Sequence, residues 1–392
     1  MSGNHEIGRA RLFTFLRRAS AGEALTVGFL GGSITQGCLA SKPEFGYADR
    51  MVKGLQKRFP RAHFDLVNAG VGGTGSLYGA IRMREDLLAH RPDLVVVDFS
   101  VNDAAAVLPM CGEISASGDS AGVADDMRES MEQPAVPYDE TFEGVIRRIL
   151  SAAQRPGVIV LNNAFYETGE STQDKHNRIA DHYGIPHASA RDEILPRIRS
   201  GEFTCGELSP DGLHPNDRGH ELLAEILLGI IDRAMFAIGD SQVSETEILP
   251  DPLTDNAYEH MYRVDIRNGE PALFGFRADP VQKNGYWDFF RNGWTAAHVG
   301  DRMEIEAAGA NIDVIYRKTV NRPSPVAELI LDGDTEHPVI LDGNFTEDWG
   351  DCLYLQPVLH HGKPGRHHMT VRITQATDAD KAPFYLICFG AG

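Results

Sequence analysis

The first residue in this chain equipped for chemistry is a serine placed just past an apolar run. Val27-Gly28-Phe29-Leu30 ends in Gly31-Gly32, and Ser33-Ile34-Thr35-Gln36-Gly37 follows at once. Such a run, closed by glycines, reads as a buried parallel strand with a tight turn at its carboxyl end. That end is where open α/β sheets bind ligands. A serine there serves either as a nucleophile or as the cap of the next helix. A hydroxyl needs a base to attack at neutral pH, and Ser209-Pro210-Asp211-Gly212-Leu213-His214-Pro215-Asn216 offers one. An aspartate three residues before a histidine, in a turn-forming stretch, can hold the imidazole in register. Two further stretches supply hydrogen-bond donors. Asn102, in Phe99-Ser100-Val101-Asn102-Asp103, carries an amide able to donate to a developing oxyanion, or to build an ordinary turn. Gly70-Val71-Gly72-Gly73-Thr74-Gly75 lets backbone N–H groups approach a ligand closely.

The elements that must position these residues alternate. Helices are expected over Ile7 to Ala19, Gly46 to Phe59, Leu77 to His90, Asp174 to Tyr183 and Arg218 to Phe236. Strands are expected over Leu25 to Leu30, Phe64 to Asn68, Leu94 to Phe99, Val158 to Leu161 and Ile185 to Ala188. This rhythm predicts an α/β fold with a doubly wound parallel sheet. Asp103 to Pro137 interrupts it as a long acidic segment, either a cover over the site or a surface insertion. Beyond Gly239 the texture becomes short alternating runs: Met303 to Glu306, Ile312 to Tyr316, Ala327 to Leu331, Pro338 to Leu341, His368 to Thr374 and Phe384 to Phe389. Asp332-Gly333 and Asp342-Gly343 punctuate them. A C-terminal antiparallel β-sandwich is predicted, giving domains at 1–240 and 241–392.

The four chemistry-bearing blocks, in this order, resemble those of the SGNH hydrolases, the GDSL-type esterase superfamily. Gly31 to Thr35 is similar to the family's serine block, Asn68 to Gly73 to its glycine block, Val101 to Asp103 to its asparagine block, and Asp211 to His214 to its Asp-x-x-His block. The resemblance implies a flavodoxin-like catalytic domain with Ser33 as nucleophile, His214 as base and then acid, and Asp211 orienting His214. It implies an oxyanion hole from the N–H groups of Ser33 and Gly73 and the amide of Asn102, and no metal or cofactor. One departure stands out: Gly32 occupies the place where the GDSL name expects aspartate, as in sugar-ester members of the superfamily. The layout as a whole is similar to two-domain bacterial carbohydrate acetyl esterases of the acetyl mannan esterase type. That implies a carbohydrate-binding-module-like second domain and an acetylated manno- or xylo-oligosaccharide substrate. A lipase, thioesterase or arylesterase of the same superfamily, and a non-catalytic carbohydrate-binding protein on an esterase scaffold, are the alternatives.

Composition narrows the partners. The formal net charge of −19 argues against nucleic acid and anionic membrane surfaces, which call for basic patches, and suits a neutral substrate. Met1 to Ala10 is polar, no apolar run is long enough to span a bilayer, and five scattered cysteines form no CxxC pair, so a cytoplasmic protein is expected. A homo-oligomer is the expected assembly. Gly70-x-Gly72-x-x-Gly75, with Asp98 on the next strand, formally matches a dinucleotide fingerprint, but it does not sit in the first strand-to-helix turn. Trp287, Trp294, Trp349 and Tyr354 are either sandwich core or platforms for sugar rings. Trp349 and Trp287, with Tyr166 from the first domain, are the candidate substrate contacts, and Tyr47 and Phe165 are further candidates to line the pocket. His360, His361, His367 and His368 surround Gly362-Lys363-Pro364-Gly365, where a polar hairpin turn explains them more simply than a metal site.

Overall fold

The apolar runs that precede the chemical residues all become strands of one sheet. In the computed structural model, which describes residues 6–105, 136–237, 248–346 and 350–392, these are β1 (Ala24–Gly31), β2 (His63–Gly70), β3 (Leu94–Asp98), β4 (Gly157–Asn162) and β5 (His187–Ser189). Every pairing is parallel and the order is β2-β1-β3-β4-β5. The chain leaves β1 for β2 on one side and returns across β1 to β3 on the other. The strand order therefore reverses at β1, and a crevice opens at the carboxyl ends there.

The continuous run Leu94 to Val97 is fully buried because it is covered on both faces. Leu94 and Val96 join the cluster formed with the helices Ile7–Ala21, Tyr47–Arg58 and Asp217–Ala237. Val95 and Val97 alternate to the opposite face. The helices Ser76–Asp86, Tyr138–Leu150 and Gln173–His182 pack on one another as a second group.

Tyr138–Leu150 was not foreseen, although Phe142, Val145, Ile146 and Ile149 form a buried stripe at helical spacing. Its charges also suit the helix dipole, with Asp139 and Glu140 in the first turn and Arg147 and Arg148 in the last. Glu143 accepts hydrogen bonds from the N–H groups of Leu253 (2.7 Å) and Thr254 (2.8 Å), and Arg147 pairs with Glu259 at 2.7 Å. These bonds keep residues 248–260 with the first compact unit, which runs to His260, while the second begins at Met261. The boundary expected at 240/241 lies outside the described residues, as do most of the Asp103 to Pro137 segment and its expected role as a cover.

The second unit has two antiparallel sheets sharing one core. One sheet runs β13-β12-β15-β10-β7, from Val339–Asp342, Val326–Leu331, Gly365–Gln375, Arg302–Gly309 and Ala272–Phe274. The other runs β14-β11-β16-β9-β8, from Cys352–Leu359, Ile312–Lys318, Phe384–Ala391, Gly293–Ala296 and Arg277–Asp279, with β6 (Tyr262–Val264) also on β16. Met303, Leu329 and Val371 from the first sheet meet Val314, Leu386 and Phe389 from the second in one buried cluster, as a sandwich requires. The sequence reading missed β6 to β9 and β14. The first four are three or four residues long, too short for alternation to register. In β14, Pro357 reads as a strand breaker but is tolerated on an edge strand, beside a bulge at Ile312/Asp313 of β11.

Candidate active site

The carboxyl end of β1 feeds directly into the short helix Ser33–Gln36, so Ser33 stands at the sheet rim. The Asp211 to His214 turn reaches it from 181 residues away in sequence. Ser33 donates its hydroxyl proton to His214 Nε2 at 2.8 Å, and His214 Nδ1–H donates to Asp211 Oδ2 at 2.7 Å. The turn is built for this. Asp211 Oδ1 accepts the N–H groups of Leu213 (3.0 Å) and His214 (2.7 Å), while Gly212 takes the left-handed φ of +76° and its carbonyl accepts the Tyr166 N–H at 2.8 Å. Partial burial pushes the Asp211 carboxyl up. The hydrogen bonds from the His214 ring and the Leu213 and His214 N–H groups outweigh it, holding the net pKa below the ordinary aspartate value. Asp211 is thus anionic and supports a charged imidazole across from it.

The glycine stretch leaves β2 and passes over the serine turn. At Gly70 a Cβ would lie 2.2 Å from the Gln36 nitrogen, which explains the glycine there. The Gly72 N–H donates to Gln36 Oε1 at 2.9 Å. Gly73 adopts φ +70°, favoured by glycine, with open space where a side chain would be. Asn102 leaves β3 on the opposite side of β1, and its amide lies against Gly32: a Cβ at that position would sit 2.1 Å from Asn102 Oδ1. A side chain at position 32 would therefore require the Asn102 amide to shift. Among the described residues, the N–H groups of Ser33 and Gly73 and the Asn102 amide are engaged by no other protein group. Donors without a protein acceptor, on the elements that leave β1, β2 and β3, make a set able to stabilise a tetrahedral oxyanion.

A buried polar layer lies beneath. Asp98, at the end of β3, is fully buried, and burial raises its carboxyl to about 7 despite hydrogen bonds from Asn163 Nδ2 (2.8 Å) and Thr35 Oγ1 (3.1 Å). An Asp98 held this way does not present itself to a ribose, so the dinucleotide reading fails on the residue it most needs. Tyr47, a pocket candidate from sequence, is instead buried, with its hydroxyl 2.8 Å from Thr35 Oγ1. Tyr166 is also buried (3 % exposed) and reaches the site through its backbone bond to Gly212. Phe165 packs, half-buried, on the same core. Trp294 is core of the sandwich, and Tyr354 packs edge-on against Tyr316. Trp287 lies in the 3-10 turn Gly285–Phe289, and Trp349 lies outside the described residues. His360 pairs with Asp313 at 2.8 Å and His367 with Asp332 at 2.7 Å, two separate pairs. Among the described residues no three His, Cys, Asp or Glu side chains converge to hold a metal ion, and no helix is long and apolar enough to cross a membrane.

Fold and site together define a carboxylic ester hydrolase of the α/β type. Residues 29–222 match the GDSL-like lipase/acylhydrolase family model. Two crystal structures of a two-domain esterase active on acetylated mannans, one with mannopentaose, share 39 % and 40 % identity with this chain. Each aligns over 97 % of this chain and 94 % of its own, with a TM-score of 0.84. An acetylxylan esterase of Geobacillus stearothermophilus is 26 % identical over 236 residues, 54 % of this chain and 94 % of that protein. The chain belongs to the GDSL-like lipase/acylhydrolase family.

Proposed function

We propose that this protein is a serine esterase that removes O-acetyl groups from manno- or xylo-oligosaccharides. The observation that carries the reading is the unbroken hydrogen-bonded run Ser33–His214–Asp211 at the strand-order reversal, together with the donors without a protein acceptor. Ser33 Oγ attacks the acetyl carbonyl while His214 Nε2 takes its proton. The oxyanion is held by the Ser33 and Gly73 N–H groups and Asn102 Nδ2. Collapse expels the sugar oxygen, to which His214 returns the proton, leaving acetyl-Ser33. Water, deprotonated by His214, then attacks the acyl group, and acetate leaves with Ser33 restored. Asp211 keeps the imidazole in the tautomer that accepts from Ser33 and stabilises its charged form.

The choice of sugar rests on the relatives' acetylated mannan and acetylxylan substrates and on the net charge of −19, which suits a neutral ligand. In this reading the second unit, Met261 to Gly392, acts as a carbohydrate-binding-module-like domain, with Trp287 and Trp349 as sugar contacts. The thiols of Cys38 and Cys205 suit a reducing compartment such as the cytoplasm.

The test is acetate release from acetylated manno- and xylo-oligosaccharides, wild type beside S33A. Release by the wild type alone supports the reading, and the preferred oligosaccharide names the sugar. Activity that persists undiminished from acetyl to octanoyl esters removes the sugar deacetylase and leaves a lipase-like enzyme. Inactivity on every acyl ester leaves a binding protein.

A further inference from the structure

Three oxyanion donors on three different elements act together only if their spacing is held to within about 0.5 Å. The weakest link is the stretch Gly70 to Gly75, where four glycines in six residues give the backbone wide freedom. Among the side chains that restrain it, Gln36 and Asp103 each come from an element that bears another donor. Gln36, on the helix of Ser33, accepts the Gly72 N–H at 2.9 Å. Asp103, the residue after Asn102, accepts the Ser76 N–H at 2.7 Å, three residues beyond Gly73. Its oxygen is so close that a Cβ at Gly75 would lie 2.5 Å from it. Asp103 is itself fixed, since its second oxygen accepts from His176 Nε2 at 3.1 Å, and the His176 ring stacks on Phe142 with centroids 3.7 Å apart. Asp103 and His176 are both buried. From the loop side, Asn68 Nδ2 donates to the Thr35 carbonyl at 2.8 Å, and its Oδ1 accepts the Gly70 N–H at 2.9 Å.

We propose that Gln36 and Asp103 are positioning residues that register the glycine-loop donor of the oxyanion hole, one from the serine turn and one from the asparagine turn. The proposal rests on the serine esterase reading above. By holding the Gly72 N–H, Gln36 leaves the next N–H, that of Gly73, as the loop's donor to the acyl site. Asp103 fixes the far end of the loop to the element that carries Asn102. Neither side chain touches the reacting atoms, so loss of either weakens stabilisation of the tetrahedral state more than binding of the ester.

The experiment compares wild type, S33A, Gln36→Met, Asp103→Ala and Asp103→Asn on p-nitrophenyl acetate, with thermal unfolding of each. Gln36 is exposed, and methionine matches its length without an acceptor, so the unfolding midpoint is expected to stay at the wild-type value. In Q36M kcat is expected to fall about tenfold with KM within about twofold. D103N keeps an oxygen for the Ser76 N–H and is expected to retain about tenfold more kcat than D103A. An equal rate of phosphonate inactivation at Ser33 in wild type and Q36M would overturn the proposal, because that adduct uses the same hole. So would wild-type kcat in Q36M, or a fall in its midpoint parallel to the fall in rate. A wild type no more active than S33A removes the serine esterase reading instead, and the proposal with it.

Discussion

Asp211 and His214 were legible in the sequence as residue types at a useful spacing, and the turn between them needs little more than its own residues to form. Gly32 was legible as a glycine, but its reason was not: the close approach of Asn102 is a contact across two strands that no local pattern encodes. Ala at position 32 must move the Asn102 amide, so G32A is expected to lose kcat by roughly 10²-fold or more, close to the loss in N102A. KM for a small acetyl ester should change little in both. A G32A enzyme with wild-type kcat would mean that the amide serves no oxyanion. Aromatic residues were the least legible. Trp294 reads in sequence as core before platform and Tyr47 as a minor pocket candidate, and burial decides both for core, because a ring looks the same in sequence whether it packs or stacks.

At the scale of elements, β1 is flanked by β2 and β3, and the three strands deliver the serine, the glycine loop and Asn102 to one rim. Strand identities could be read from apolar runs, but their lateral order could not, since it is fixed by tertiary packing. The glycine loop crosses the serine turn closely at Gly70. Gly70→Ala would press a methyl against backbone atoms of Thr35 and Gln36, so a stability loss of roughly 1–3 kcal/mol with a concurrent drop in activity is expected from denaturant unfolding and esterase assays.

The long helix Asp217–Ala237 adds a pH-dependent contact. His220 donates Nε2–H to the Cys38 carbonyl at 3.1 Å and accepts the Tyr47 N–H at Nδ1, 3.3 Å, so it is neutral in the folded state. Burial is the main cause that lowers it to about 4. Between about 6.5 and 4 the unfolded chain takes up a proton that the folded one refuses, so stability is lost as pH falls, in total roughly 3 kcal/mol. Asp98 works in the opposite direction: raised to about 7, it keeps a proton that the unfolded chain has released, and stability is lost as pH rises from about 4 to 7. His220→Gln keeps a donor for the Cys38 carbonyl and removes the titration. Denaturant unfolding should show its stability relative to wild type improving from pH 6.5 down to 4, and a constant difference would refute this account.

For the whole molecule, the division into a parallel α/β unit and an antiparallel sandwich was evident from the change of periodicity after Gly239. The strands missed were those with three or four residues or with an internal proline, where backbone pairing with a neighbouring strand, rather than alternation, holds the segment. Charge operates at this scale too. With a net charge of −19, a neutral acetylated sugar feels no net field, so kcat/KM is expected to vary less than about twofold between roughly 20 and 500 mM salt. An anionic ester would instead be repelled at low salt, and its kcat/KM would climb steeply as salt is added.

The hydrogen bond between Ser33 and His214 joins residues 181 positions apart. Closing so wide a loop is slow unless intervening structure has already shortened it. Helix Tyr47–Arg58 and strands β2 to β5 all lie between the two residues in the chain. During refolding from denaturant, helical circular dichroism should therefore recover before hydrolysis of a chromogenic acetate does, and the return of turnover marks the last step of assembly rather than the first.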